Sequence, residues 1–281
     1  MTVPIAFTKA SGAGNDFVLV NNFGGDLHVD YPALARAVCD RHFGVGGDGL
    51  LVVERSKSAD FAMQYYNADG SWGGMCGNGG RCIARYAQAA GIAGPHQRFE
   101  ALGHVYEAEV GPATVTLRMK DPGPLRSGLK ITIAEATYEA SFLDTGAPHV
   151  VIFVRDPGQT DVQNIGNGIR HHADFQPDGT NVNFVRRTGP SAIELRTYER
   201  GVETETLACG TGSVASALVA AATFGLTSPV IVRVRSGEDL TVHFRGNPGA
   251  WTDVRLEGSA HLLFSGTLVF QTDPPTIRQT A

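Results

Sequence analysis

Short apolar runs and longer runs with helical spacing alternate along the first half of the chain. Apolar runs bounded by Gly, Asn and Asp predict strands, because those residues favour turns. A helix is predicted over residues 30–40, where Asp30 can cap the first turn and Pro32 fits within it. A second helix is predicted over residues 79–90, with Gly91 as its stop signal. The predicted strands of this half are residues 3–9, 17–21, 50–54 and 61–66.

The second half repeats this order of strands, glycine-rich loops and helices. A helix is predicted over residues 161–172, and a long Ala-rich helix follows Cys209. The predicted strands are residues 138–143, 150–154, 182–186 and 193–198. Matching loop positions recur at an offset of 132 residues, or 133 for the cysteines: Asn15 and Ala147, Gly49 and Asn181, Asn67 and Glu199, Cys76 and Cys209.

This constant offset predicts two similar halves that face each other across a cleft, with the active site in the cleft. The alternative is that helices and strands of average size recur at similar spacing by chance. Alternating residues over 97–119 and 230–256 predict antiparallel strands that close each half. With a linker at residues 121–124, we expect an N-terminal half over 1–124, a C-terminal half over 125–260, and a tail over 261–281. A tail strand is expected to pack back on the N-terminal half.

Composition narrows the classes of function. The chain has 281 residues, 42% of them hydrophobic, which is enough for one large core or two medium ones. A net charge of −5 with scattered Lys and Arg argues against nucleic acid and favours a small-molecule partner. We see no secretion signal and no apolar run of membrane-spanning length, so we expect a cytoplasmic protein without a membrane partner. The four cysteines lack the spacing of a zinc site, so we expect thiols and no metal.

Two of these cysteines carry the candidate chemistry. Cys76 and Cys209 each stand in a Cys-Gly-x-Gly turn directly before a predicted helix. Unpaired backbone N–H groups and the helix dipole favour a thiolate there, and the same N–H groups could hold a carboxylate. This placement suggests proton transfer at the carbon beside a bound carboxylate. One thiolate would remove the proton from one face, and the other thiol would return a proton to the opposite face.

No cofactor is required for such a reaction. The sequence has no lysine in a pyridoxal-type context and no P-loop. The glycine run at residues 44–49 resembles a dinucleotide fingerprint only loosely, and it precedes a strand rather than a helix. Cys39 and Cys82 are interpreted as inert core residues. Trp72, near the Cys76 turn, is either a lid residue or a surface aromatic residue.

Several motifs, in order along nearly the whole chain, resemble those of the diaminopimelate epimerase family. They are Gly12-Ala13-Gly14-Asn15-Asp16-Phe17, Asn67-Ala68-Asp69-Gly70-Ser71, Cys76-Gly77-Asn78-Gly79, Glu199-Arg200-Gly201 and Glu205-Thr206-Leu207-Ala208-Cys209-Gly210-Thr211-Gly212. The resemblance implies an α/β (α+β) fold of two pseudo-symmetric halves, each a curved, mostly antiparallel sheet around a central helix. It also implies a pyridoxal-independent epimerase, for which we expect a homodimer.

The resemblance further implies a role for each matching residue. The reaction would interconvert LL- and meso-diaminopimelate, for lysine and peptidoglycan synthesis, with Cys76 as proton donor and Cys209 as proton acceptor. The roles would exchange in reverse. His149 and Glu199 would tune the cysteines and the reacting amino group. The distal amino-acid end would be bound by Asn15, Asn67, Asn181, Glu199 and Arg200, and the reacting carboxylate by Gly77-Asn78 and Gly210-Thr211.

Two positions depart from the family pattern. Ala147 stands where many members have Asn, and Gly49 stands where some have Gln. Both departures affect recognition of the distal end more than the thiol chemistry. A related enzyme that acts on another amino acid therefore stays open, as does a binding protein without activity, although binding alone would require neither cysteine.

Overall fold

The computed structural model describes residues 2–278, which form a strand-rich α+β protein with short helices. Within that range there are four α-helices and eighteen strands. The helices are α1 (Tyr31–Cys39), α2 (Gly77–Ala89), α3 (Val162–Arg170) and α4 (Gly210–Phe224). Two 3-10 turns, Pro157–Gln159 and Ala173–Phe175, flank α3.

The first nine strands are β1 (Thr2–Gly12), β2 (Asn15–Asn21), β3 (Gly49–Glu54), β4 (Phe61–Asn67), β5 (His96–Ala101), β6 (His104–Val110), β7 (Thr114–Arg118), β8 (Arg126–Ile133) and β9 (Ala136–Asp144). The other nine are β10 (Pro148–Phe153), β11 (Asn181–Gly189), β12 (Ala192–Glu199), β13 (Thr204–Thr206), β14 (Val230–Arg233), β15 (Asp239–Arg245), β16 (Thr252–Ser259), β17 (His261–Thr272) and β18 (Pro275–Arg278).

The chain divides into two compact units, residues 1–117 with 258–281, and residues 118–257. In the first unit, neighbouring strands run in the order β17-β1-β2-β3-β4-β5-β6-β7. All these pairs are antiparallel except β2–β3 and β4–β5, which are parallel. Helix α1 connects the first parallel pair and α2 the second, as parallel strands require a crossover.

The second unit has the same strand order, β8-β9-β10-β11-β12-β14-β15-β16, with parallel pairs at the equivalent positions. Here α3 and α4 are the crossover helices. Register is repeated too. Leu51 faces Tyr65 across β3–β4, and Asn183 faces Thr197, 132 positions further on, across β11–β12. The two units are therefore structural repeats of one another.

The central helices differ in how much of their surface is buried. In α4 every residue from Gly212 to Ala221 is buried, as its nearly all-apolar sequence Gly-Ser-Val-Ala-Ser-Ala-Leu-Val-Ala-Ala predicts. In α2 burial is concentrated in the first half of the helix, from Asn78 to Ala84. Helices α1 and α3 each pack into an apolar cluster of their own unit.

Most predicted elements are present, with shifted ends. The side chain of Asp30 accepts a hydrogen bond from the Ala33 N–H, which confirms the predicted cap of α1. Helix α2 begins at Gly77 instead of residue 79, because Cys76 itself is the extended N-cap residue. Three strands were not predicted, β8, β13 and β18. A register shift interrupts β8 between Arg126 and Leu129, and β13 and β18 are only three and four residues long.

The unit boundaries lie close to the expected domain limits at residues 124 and 260. The first boundary falls between Leu117 and Arg118. The linker predicted at residues 121–124 lies in the second unit, where the Gly123 N–H donates to the Asp144 carbonyl. The tail strand β17 pairs antiparallel with β1 from Thr2 to Ser11. Among the described residues, no helix is both long enough and apolar enough to cross a membrane.

Candidate active site

Cys76 is the N-cap of α2, with the extended backbone angles φ −111° and ψ 122°. The first helical hydrogen bond runs from the Gly80 N–H to the Cys76 carbonyl, at 2.7 Å. The N–H groups of residues 77–79 precede that bond, and the first N–H groups of a helix have no partner within the helix. The half-buried thiol therefore stands where donors and the positive end of a helix dipole favour an anion.

Cys209 occupies the same position in the second unit. It is the N-cap of α4, with φ −124° and ψ 114°, and its side chain is 6% exposed. Its carbonyl accepts from both the N–H and the hydroxyl of Ser213, at 2.9 and 2.8 Å. The Thr211 hydroxyl lies 3.6 Å from the Cys209 sulfur. Both cysteines are thiols, so both candidate bases are present in equivalent backbone settings.

The third helical residue is glycine in both turns, but a side chain would meet a much closer contact in one turn than in the other. A Cβ on Gly212 would lie 2.5 Å from the Asn183 Oδ1 and 3.3 Å from the Cys209 sulfur. A Cβ on Gly79 would meet the Leu51 Cδ2 at 3.3 Å, which is tight contact with the end of a flexible side chain. Leu51 and Asn183 thus occupy equivalent places under the two turns.

A polar chain of contacts lies beside the Cys76 turn. The Asn78 amide donates to the Asn15 Oδ1 at 2.5 Å, and the Asn15 amide donates to Asp48 at 3.0 Å. Arg81, which is completely buried, donates to the Asn78 Oδ1 at 2.8 Å and to the Ser259 carbonyl at 3.3 Å. Asn15 and Asn78, two of the predicted binding residues, are therefore joined directly. Asn78 is only 2% exposed, and its side-chain amide is engaged by Asn15 and Arg81.

An ion cluster lies at the Asp48 end of this row of hydrogen bonds. Asp16 pairs with Lys9 at 2.6 Å and with Arg41 at 2.7 Å, and Arg41 also reaches Asp48 at 2.8 Å. Burial raises the pKa of Asp16, but hydrogen bonds and charge interactions with Arg41 and Lys9 outweigh it and lower that pKa to about 2. Arg41 thus links Asp48, the partner of the Asn15 amide, to Asp16.

In the second unit the residue beneath Cys209 belongs to a buried polar network. The Asn183 amide nitrogen contacts the His149 Nδ1 at 3.2 Å and donates to the Val150 carbonyl at 2.9 Å. The Asn183 Oδ1 accepts from the Thr197 hydroxyl at 3.0 Å. His149 is completely buried, and burial, reinforced by the Arg200 cation, lowers its pKa from 6.5 to about 3. His149 is therefore neutral at physiological pH.

Asn181, Glu199 and Arg200 lie together where β11 and β12 meet. The Asn181 Oδ1 accepts from the Arg200 N–H at 2.9 Å, and its amide donates to the Pro148 carbonyl at 3.0 Å. Each polar atom of Asn181 thus has one partner, and an amide can form a second bond through each. The Glu199 carboxylate accepts from the Thr206 hydroxyl at 2.8 Å. Its neighbours Glu203 and Glu205 are ion-paired with Arg170 and Arg196, respectively.

Of the remaining predicted site residues, Asn67 is the last residue of β4 and Thr211 is the second residue of α4. The Asn67 amide donates to the Ser71 hydroxyl at 3.0 Å in the turn after β4. The Thr145 hydroxyl donates to the Thr211 carbonyl at 3.0 Å, which connects the β9–β10 loop to the Cys209 turn. Trp72 is 49% exposed and packs edge-on against Tyr66, with ring centroids 5.3 Å apart.

The structure also shows why Gly49 is glycine. A Cβ there would lie 2.5 Å from both the Tyr65 ring and the Tyr66 carbonyl, so no side chain can project from this position. Ala147 lies half-buried in the β9–β10 loop, where its carbonyl accepts from the Thr145 N–H. The departure at residue 49 is therefore built into the packing of β3 and β4, whereas the departure at residue 147 leaves the loop intact.

Sequence reasoning missed several residues of the polar networks, among them Arg81, Asn183 and Thr197. A signal existed for Asn183, because Asn181 and Asn183 are two residues apart on one strand and so point to the same face of the sheet. Asn78 and Arg81 are three residues apart on a helix and so share a face. Thr197 carries no such signal, because it reaches Asn183 only through the pairing of β11 with β12.

Comparison with known proteins places these features in a family. The sequence profile of diaminopimelate epimerase matches residues 7–121 and 141–251. A diaminopimelate epimerase of Chlorobaculum tepidum is 46% identical over 92% of this chain and 99% of its own length. Another from Archaeoglobus fulgidus is 41% identical over 94% of this chain and 96% of its own length.

Solved structures share the two-unit fold at low sequence identity. A PhzF-family phenazine biosynthesis protein of Bacillus anthracis aligns with a TM-score of 0.74 and 14% identity, covering 94% of this chain and 99% of that chain. A hydroxyproline epimerase of Agrobacterium vitis aligns with a TM-score of 0.70 and 16% identity, covering 96% of this chain and 94% of that chain. At these identities the likeness concerns the fold.

Proposed function

Because the chain belongs to the diaminopimelate epimerase family and is thus an isomerase, we propose that it interconverts LL-2,6-diaminopimelate and meso-diaminopimelate by a two-base thiol mechanism. One observation carries the proposal. Cys76 and Cys209 are both N-caps of repeat-equivalent helices, with backbone angles that agree within 13° in φ and 8° in ψ. A pair of small apolar residues could serve any structural purpose at these two positions, so the duplicated thiols point to chemistry.

The proposed chemistry moves one proton at each thiol. Cys209, as thiolate, removes the α-proton of the LL isomer and becomes a thiol. The electron pair left on the α-carbon is delocalised into the adjacent carboxylate. Cys76, as thiol, then donates its proton to the opposite face and becomes a thiolate, which leaves the centre inverted. In the reverse direction the two roles exchange.

Helix N-termini would stabilise the charge that develops during proton removal. The N–H groups of Gly77-Asn78 and Gly210-Thr211 precede the first hydrogen bonds of α2 and α4. We propose that these donors hold the reacting carboxylate. Donors aimed at the place where negative charge grows stabilise the transition state more than the ground state, which is how they would accelerate the reaction.

The distal end of the substrate would be recognised by polar residues of both units. We propose Asn15, Asn67, Asn181, Glu199 and Arg200 for this role, with His149 and Glu199 also acting near the cysteines and the reacting amino group. The hydrogen bonds of Asn15 with Asp48 and Asn78 support it, since groups that are already held in place lose little entropy on binding.

A second candidate function is the same chemistry on a different amino acid. It is favoured by Ala147, which offers no side-chain hydrogen bond at the position equivalent to Asn15. A substrate screen in which diaminopimelate is inert and another amino acid turns over would select it. Under the leading proposal the enzyme acts in the cytoplasm as a homodimer, needs no pyridoxal phosphate, and supplies lysine and peptidoglycan synthesis.

The experiment follows α-proton exchange and epimerisation of LL- and meso-diaminopimelate by NMR in deuterated water, under reducing conditions. Cys76→Ala and Cys209→Ala should each lower the epimerisation rate by about 100- to 10,000-fold, the range for loss of a positioned acid or base. Cys82→Ala, which removes a buried thiol from the helix that Cys76 caps, is the control and should epimerise at nearly the wild-type rate. Wild-type epimerisation by Cys76→Ala would contradict the proposal.

A further inference from the structure

The floors beneath the two cysteine turns differ in kind at equivalent positions. In the first unit the floor consists of aromatic and aliphatic side chains, and Phe17 packs edge-on against Tyr65 with ring centroids 5.9 Å apart. Each residue of this floor has a counterpart 132 positions later in the same strand register, and there the side chains are polar: Phe17, Leu51 and Tyr65 correspond to His149, Asn183 and Thr197. The fold thus does not require His, Asn and Thr at these three places.

Within the polar floor, the orientation of the Asn183 amide is fixed by its neighbours. The Val150 carbonyl can only accept a hydrogen bond, so the side-chain atom 2.9 Å from it must be the NH₂ group. The reversed amide would place two carbonyl oxygens against each other. The Thr197 hydroxyl donates to the Asn183 Oδ1 at 3.0 Å, which agrees with this orientation of the amide.

This orientation determines where His149 carries its proton. The second N–H of the Asn183 amide points at the His149 Nδ1, at 3.2 Å, so Nδ1 must be the acceptor. A neutral imidazole with an acceptor at Nδ1 carries its hydrogen on Nε2. Among the described residues, the buried Nε2 of His149 has no hydrogen-bond partner. A buried donor without a partner is costly, and such groups occur at functional sites.

We infer that Asn183 is a positioning residue, which fixes His149 as its neutral Nε2–H tautomer and so makes Nε2–H a hydrogen-bond donor to an acceptor in the epimerase reaction. The inference rests on the proposed function and deepens it. A donor at Nε2 can hold a thiolate or carboxylate in place, but it cannot take a proton from the substrate. His149 would therefore assist Cys209 and Cys76 without competing with them as a base.

The experiment is NMR on the wild-type protein with histidine labelled with heavy nitrogen, read without substrate. The His149 signals are assigned as those lost in His149→Phe. The wild type should show a protonated Nε2 and an unprotonated Nδ1. In Asn183→Asp a carboxylate oxygen replaces the donor, so the proton should move to Nδ1, and kcat should fall by about 10- to 100-fold, with a smaller change in KM.

Thr197→Val is the matched control, because it removes a buried hydrogen bond from the same network without touching His149. It should keep the proton on Nε2, since the Val150 carbonyl still orients the amide. If Asn183→Asp does not fold, Asn183→Leu is the second variant, because leucine is the residue at the equivalent position 51 of the first unit. In that variant the His149 Nδ1 signal should move to the position of a ring nitrogen that accepts no hydrogen bond.

A wild-type His149 protonated at Nδ1 would overturn the inference, and so would Asn183→Asp with the proton still on Nε2. A switched tautomer with unchanged kcat would overturn the role in the reaction. Because the tautomer is read without substrate, failure of this inference is distinct from failure of the proposed function. If the proposed function were wrong and this inference right, the wild-type protein would show the predicted tautomer but would not epimerise diaminopimelate.

Discussion

The two units share one backbone design and differ in the chemistry placed on it. Cys76 and Cys209 start equivalent helices from nearly identical backbone angles. Beneath Cys209 lies a hydrogen-bonded network around Asn183, whereas Leu51 lies beneath Cys76. The Cys76 turn has its polar contacts at the side instead, through Asn15 and Asn78.

This contrast separates what the fold requires from what the reaction requires. Features present in both units, such as the extended N-cap and the glycine three residues later, maintain the turn itself. Features present in one unit, such as the buried His149, are not needed to build it. Buried polar groups cost free energy unless they are satisfied. A group with no structural counterpart is therefore the best place to look for catalytic roles, and exchanging residues between the units tests that reasoning.

The largest effect should come from filling the space beneath Cys209. Gly212→Ala places a Cβ 2.5 Å from the Asn183 Oδ1, so the network must shift, at about 1–3 kcal/mol of stability. Gly79→Ala makes the same change in the first unit. There the contact is 3.3 Å to Leu51, and the helical preference of Ala, about 0.5–1 kcal/mol, offsets it. Urea unfolding of both variants measures the difference. Equal losses in both would show that the two floors are equally tolerant.

A smaller effect should appear in the pH dependence of stability. His149→Phe gives the second unit the residue of the first. In the wild type, native His149 stays neutral down to a pKa of about 3, while the unfolded chain takes up a proton below 6.5. The free energy of unfolding should therefore fall as pH falls from 6.5 toward 3, by about 2 kcal/mol by pH 5.

The His149→Phe variant lacks this proton uptake, so its stability should change less between pH 7 and pH 5. Urea unfolding of both proteins at the two pH values measures the difference. Asp16, with its pKa near 2, titrates below this pH range and does not contribute to the measured difference in stability. Parallel pH dependence in the two proteins would mean that His149 is not held neutral by its surroundings.

The smallest predicted effect concerns the loop position equivalent to Asn15. Ala147→Asn restores an amide there, and one added hydrogen bond to the distal carboxylate should lower KM for diaminopimelate by roughly 3- to 10-fold. Ala147→Asp has the same size but repels a carboxylate, so it should raise KM. Steady-state kinetics of the two variants decide the matter. Identical KM values would indicate that residue 147 does not reach the substrate.

The sequence predicts the repeat and the cysteine turns because both depend on local patterns. Asp30 with Pro32 marks the start of α1, and the glycines after Cys76 and Cys209 mark α2 and α4. The polar floor could not be predicted in this way. His149 and Asn183 are 34 residues apart and meet only through the parallel register of β10 and β11.

The tautomer of His149 is even harder to predict from the sequence. It depends on which way one buried amide faces, and that orientation is set by the Val150 carbonyl. The strand β8 was also missed, because its register shift removes the regular alternation by which strands are recognised. Local patterns therefore give the elements and the thiols, whereas strand register gives the surroundings that distinguish the thiols.

The most direct test of the central claim, that two thiols act on opposite faces, is where solvent deuterium appears in the first turnovers. LL-diaminopimelate is converted to a small extent in deuterated water, and substrate and product are analysed separately by NMR. The account predicts a deuterium at the inverted centre of the product, while unreacted substrate keeps its proton. A product that retains the substrate's own proton would mean that one base serves both faces, and it would contradict the separate roles of Cys76 and Cys209.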